Sequence, residues 1–143
     1  MFSLKRSIVS LLILLFACGS GLLATEHTKD SLKTVKANLT KKKAILIDVR
    51  EKQEWDAGHL QDARLVPLSK LRKIKTITKK LAKELPKDKI IYCHCRSGGR
   101  VLVATEILKK YGYDIRPLKK GYADLLKAGF LQAKEVTPKK KDS

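Results

Sequence analysis

Acidic residues are scarce in this chain: 14 Asp and Glu stand against 32 Lys and Arg in 143 residues, a formal net charge of +18. Cysteines number three, aromatics make up 6% of residues, and there is one Trp. Each shortage excludes something. One cysteine, Cys18, lies near the start, so Cys93 and Cys95 are what the body of the chain has. An exported domain of this size therefore has no disulfide framework and must rely on packing. A bridge between two cysteines so close in sequence would be strained. Structural zinc wants four ligands. Cys93-His94-Cys95 has no second ligand pair to complete such a set, and His27 and His59 are scattered, so no metal is expected. Few aromatics, no basic stripe interleaved with them and no binding motif argue against a nucleic-acid surface. The positive charge reads as a solvated surface that attracts anions, from small oxyanions to acidic lipid headgroups. No internal repeat is present.

Long apolar runs are also missing. Ile8 to Ala17 is apolar apart from Ser10 and follows Lys5 and Arg6. That is the pattern of an export signal over residues 1–24, too short to read as a membrane span. Leu15-Phe16-Ala17-Cys18 resembles a bacterial lipobox, which would make Cys18 the lipidated N-terminus, although Phe16 stands where a small residue is usual. Cleavage after Ala24 is the alternative, with Leu22 large for that site, and a retained anchor is a third. All three place the domain outside the bacterial cytoplasm, in the periplasm as a soluble or a lipid-anchored protein. An acylated terminus together with a basic surface would hold it at a membrane face. Residues 25–135 carry the domain, and the charged tail at 136–143 is expected to be disordered.

Within the domain, strand and helix patterns alternate. Asp30 to Lys43 reads as a helix capped by Asp30, with Leu32, Val35 and Leu39 buried. Ala44 to Val49 reads as a strand apolar on both faces, as in a parallel sheet covered by helices. A short helix stops near Gly58, and Ala63 to Pro67 is a short strand. Ser69 to Leu85 reads as one helix with Leu71, Ile74, Ile77, Leu81 and Leu85 inward and Pro86 ending it. Lys89 to His94 is a strand, Val101 to Tyr111 a helix, Asp114 to Leu118 a strand and Gly121 to Ala128 a helix. Short connections between alternating elements predict an α/β domain with a mostly parallel central sheet flanked by helices. In such sheets ligands sit at the carboxyl ends of the strands.

Cys95 falls at such an end, and Asp48-Val49-Arg50 falls at another. Cys95-Arg96-Ser97-Gly98-Gly99-Arg100 breaks the strand, curves at a glycine pair and enters a helix. Loop N–H groups, the positive end of a helix and two arginines aimed at one sulfur favour a thiolate and make it a nucleophile. Gly98 and Gly99 are expected to supply backbone angles that a side chain would forbid. Arg96 and Arg100 can fork onto an anionic substrate, and Ser97 can donate a hydrogen bond. Cys93, two residues earlier on the strand, reads as core filling rather than a resolving thiol. Asp48 and Arg50 read as an ion pair steadying the loop, His59 as a hydrogen-bonded corner and Trp55 as core.

These pieces together resemble a single-domain rhodanese. Asp48-Val49-Arg50, Glu54-Trp55, Gly58-His59-Leu60, Ala63 and Pro67 are similar to the first signature of that family. Cys95 to Arg100 resembles its active-site loop, and Gly121-Tyr122-Ala123-Asp124 with Gly129-Phe130 its closing signature. Lys120 stands where the family often has a first glycine, and Leu125 lies near a common tryptophan. An export signal on a lone domain further resembles small periplasmic thiosulfate sulfurtransferases. The resemblance implies a three-layer rhodanese-like fold, Cys95 as catalytic nucleophile, no metal and no organic cofactor. It also implies a small anionic sulfur donor and a thiol or cyanide acceptor; the composition argues for no nucleic-acid partner, and a monomer is expected. The alternatives are a carrier or sensor module that stores persulfide on the same loop, and a related phosphatase or arsenate reductase. Loops of the latter kind run Cys-x5-Arg, whereas this one runs Cys-x4-Arg and makes a smaller cradle.

Overall fold

The computed structural model describes residues 24–134, so the export signal up to Leu23, the lipidation candidate Cys18 and the basic tail lie outside the described residues. Strands β1 (Ala44–Asp48), β2 (Ala63–Leu65), β3 (Ile90–His94) and β4 (Ile115–Pro117) form one sheet in the order β2-β1-β3-β4, and every pairing is parallel. Helices α1 (Leu32–Thr40) and α6 (Tyr122–Lys127) pack on one face, and α3 (Leu68–Leu71), α4 (Lys79–Glu84) and α5 (Arg100–Lys109) on the other. Helix α2 (Lys52–Asp56) follows the carboxyl end of β1. The result is the three-layer architecture expected.

The two-residue period of a strand sorts the side chains between the layers. Ile45, Ile47, Ile91 and Cys93 join Val101, Ala104 and Leu108 of α5 in one core. Ala44, Leu46 and Tyr92 join Val35 of α1 and Leu125 of α6 in the other. Each aliphatic chain so buried stabilises the fold by about 1.5–3 kcal/mol. Cys95 belongs with the α5 core, whereas His94 and Asp48 sit opposite one another in the β1–β3 register and belong to the other face.

Two boundaries differ from the sequence reading. Ser31, not Asp30, caps α1, its hydroxyl accepting from the Thr34 N–H at 3.1 Å. Asp30 is drawn away by stronger partners: it accepts from the Tyr92 hydroxyl at 2.6 Å and from Arg116 at 2.9 Å. The helix expected over 69–85 is broken between α3 and α4. The break holds Lys73, Lys75 and the β-branched run Thr76-Ile77-Thr78, which combines like-charge crowding with weak helix propensity. Thr78 then starts a new helix by accepting from the Leu81 N–H at 3.2 Å. Ile74 and Ile77 still pack against the α5 core, so the apolar spacing served burial without a continuous helix.

Candidate active site

Cys95 leaves the carboxyl end of β3 and is 1% exposed. The chain turns at once, and the Gly98 N–H donates to the Cys95 sulfur at 3.1 Å. This turn requires a glycine at 98 for two reasons. Its φ is +89°, and a Cβ there would lie 2.5 Å from the Lys119 carbonyl oxygen. Gly99 differs from expectation: its φ is −80°, and nothing lies within 4 Å of where its Cβ would be. It caps α5 in an ordinary helical conformation that other residues adopt equally well.

The loop is braced from behind. A Cβ on Gly121 would lie 1.8 Å from the Arg96 carbonyl oxygen, so the start of α6 presses directly on the loop backbone. The Tyr122 N–H donates to the Cys95 carbonyl at 2.9 Å. The Nε2 of His27, in the segment before α1, donates to the Gly98 carbonyl at 2.8 Å. None of these three contacts was legible from the sequence, which offered only a closing signature containing Gly121 and Tyr122 and an isolated histidine.

Asp48 and Arg50 form the buried ion pair expected of them. Arg50 Nε and Nη2 donate to Asp48 Oδ2 at 2.9 and 2.7 Å, and Nη2 reaches the Gly58 carbonyl at 2.8 Å. The Arg50 guanidinium also lies 4.1 Å from the Tyr122 ring centroid, which ties the end of β1 to the start of α6. His94 Nε2 is buried without a hydrogen-bond partner, 3.7 Å from Asp48 Oδ2. Burial lowers its pKa against the opposing pull of Asp48, which keeps the ring neutral. Because it lies on the sheet face opposite Cys95, it is not placed as a base for that thiol.

The arginines divide. Arg96 is exposed and makes no ion pair among the described residues. Arg100, expected to bind substrate, is forked onto Glu54: Nη1 donates to Oε2 at 2.6 Å and Nη2 to Oε1 at 2.7 Å. The guanidinium holds the Glu54 carboxyl down to about 2, and Glu54 in turn raises the pKa of Arg100. Glu54 is fixed in place by α2, where it accepts from the Glu51 N–H at 3.0 Å in a reciprocal capping box. Ser97 is exposed, and among the described residues its hydroxyl makes no hydrogen bond.

Cys93 is fully buried, 3.7 Å from the Thr105 hydroxyl, and burial pushes its thiol up to about 12. Such a thiol is inert. Cys93 and Cys95 are both free. Trp55 is half-buried rather than core. Its ring stacks on His59 at 3.7 Å, and His59 Nδ1 returns to the Trp55 carbonyl at 3.1 Å.

A near-buried sulfur held by a glycine turn at the head of a helix, on a parallel sheet, defines a cysteine-loop α/β domain. The profile of the rhodanese-like domain matches residues 31–128, and the chain belongs to that family. The human single-domain sulfurtransferase TSTD1 superposes with a TM-score of 0.60 at 25% identity, covering 68% of this chain and 94% of that one. The uncharacterised Bacillus subtilis protein YqhL is 39% identical over 82 residues, 57% of this chain and 60% of its own length. The Saccharomyces cerevisiae adenylyltransferase and sulfurtransferase UBA4 is 35% identical over 85 residues, 56% of this chain and 19% of that protein. The chain thus spans less than two thirds of the curated relatives it matches.

Proposed function

We propose that this domain is a sulfurtransferase that carries sulfane sulfur on Cys95. The observation that carries the reading is the Gly98 N–H, 3.1 Å from the Cys95 sulfur at the head of α5. A donor fixed at that distance stabilises an anionic sulfur without reorganisation during reaction. The Cys95 thiolate attacks the outer sulfur of thiosulfate or of a small persulfide. A sulfur–sulfur bond forms to Cys95, and sulfite or a thiolate leaves with the electron pair of the broken bond. A thiophilic acceptor, cyanide or a thiol, then attacks the outer sulfur of the enzyme persulfide and returns the Cys95 thiolate. Neither step needs a general base, so a neutral His94 on the far face of the sheet is no obstacle.

Arg96, exposed beside the loop, is the guanidinium free to meet an anionic donor, while the charge of Arg100 is answered by Glu54. Thiosulfate:cyanide turnover, read as thiocyanate, tests the proposal. Cys95→Ser is expected to abolish it and Cys93→Ser to keep most of it. Retained turnover in Cys95→Ser overturns the reading.

A further inference from the structure

At the amino ends of β1 and β3, a strand's length from the cysteine loop, the fold leaves a cavity of about 540 Å³. That is the size of a small-molecule site. Lys36, Lys42, Arg64 and Lys89 line it against one carboxylate, Asp62, and Phe130 supplies an apolar wall. A chain this rich in lysine places cations on many surfaces, so the excess alone decides nothing. Lys42 does more. Among the described residues it is the one non-glycine residue with positive φ, at +55°.

Two helix ends flank this cavity, and they are built alike. After α6 the Gly129 N–H donates to the Leu126 carbonyl and the Phe130 N–H to the Leu125 carbonyl. After α1 the Lys42 N–H donates to the Leu39 carbonyl and the Lys43 N–H to the Asn38 carbonyl. Both are the same left-handed C-terminal turn, where glycine is the ordinary choice. The chain uses glycine at 129, with φ +79°, and a strained lysine at 42. The strained position lies on the wall of the cavity, and the side chain that a glycine would lack is exposed there. Two of the other cations retain free donors: the Lys36 ammonium, 5.0 Å from the Phe130 ring centroid at one edge of the apolar wall, gives one hydrogen bond to the Ala128 carbonyl, and Arg64 gives Nη1 to the Glu84 carbonyl.

We propose that this cavity binds a phosphate-type oxyanion carried on a small apolar body, with Lys42 as a direct ligand and Phe130 against the apolar part. The site is separate from Cys95 and does not depend on the sulfur chemistry. The same headgroup chemistry occurs in a soluble phosphomonoester and in an acidic phospholipid, and the probes separate them. Phenyl phosphate is titrated calorimetrically into the purified protein, and sedimentation is measured with phosphatidylglycerol and with phosphatidylcholine vesicles. Two variants of equal charge are compared, Lys42→Gly and Lys110→Gln, the latter at the exposed end of α5.

Lys42→Gly is expected to raise the thermal midpoint, because the strain is relieved, while weakening anion binding about tenfold. Lys110→Gln is expected to leave binding within about twofold. Saturable phenyl phosphate binding with this pattern assigns a soluble ligand. The pattern with phosphatidylglycerol vesicles alone assigns a lipid headgroup. Binding of neither probe, binding unchanged in Lys42→Gly, or equal weakening in both variants overturns the proposal.

Discussion

Three glycines near the sulfur do three different things. Gly98 supplies a left-handed backbone, Gly121 supplies absent volume, and Gly99 supplies neither. Gly121→Ala forces a methyl group into the Arg96 carbonyl, and backbone cannot yield as a flexible side chain does. It is expected to cost about 3 kcal/mol in thermal or denaturant unfolding. Gly99→Ala meets open space at a helical φ and is expected to stabilise by about 0.5 kcal/mol. Equal effects of the two substitutions would contradict this account of the loop. The cysteine and its turn were legible in sequence because the residues are contiguous. The brace was not: it joins His27 to Gly98 and Gly121 to Arg96, and no local pattern reports an approach between distant segments.

At the scale of elements, Glu54 and Arg100 couple α2 to the first residue of α5, across 46 positions of sequence. This pair is a third exposed, so its worth is discounted to about 1 kcal/mol. Its pH dependence has a definite sign. The Glu54 carboxyl falls from 4.5 to about 2 on folding. The pair therefore contributes fully above pH about 4.5, and its contribution fades as pH falls toward 2. Glu54→Gln is expected to lower stability at neutral pH by about 1 kcal/mol and to narrow the difference from wild type near pH 2. A gap that stays constant across that acid range would contradict the assignment. The order of elements was legible from apolar periodicity, and so were the parallel sheet and its two covered faces. What periodicity concealed was the break after α3, since Ile74 and Ile77 reach the core from either geometry. It also concealed the competition that took Asp30 from its helix to Tyr92 and Arg116, and the partner that took Arg100 from solvent.

Across the whole molecule the parallel sheet separates two kinds of surface. Its carboxyl end holds a near-buried sulfur that accepts from the Gly98 N–H, and its amino end holds a basic cavity flanked by paired helix ends. Membership of the rhodanese-like family follows from residues 31–128. Intact-mass spectrometry of the purified protein, before and after thiosulfate and again after cyanide, addresses the centre of the account. Wild type should gain one sulfur atom and lose it to cyanide, and Cys95→Ser should gain none. No gain in the wild type, or a gain that persists without Cys95, would contradict sulfur transfer through this loop.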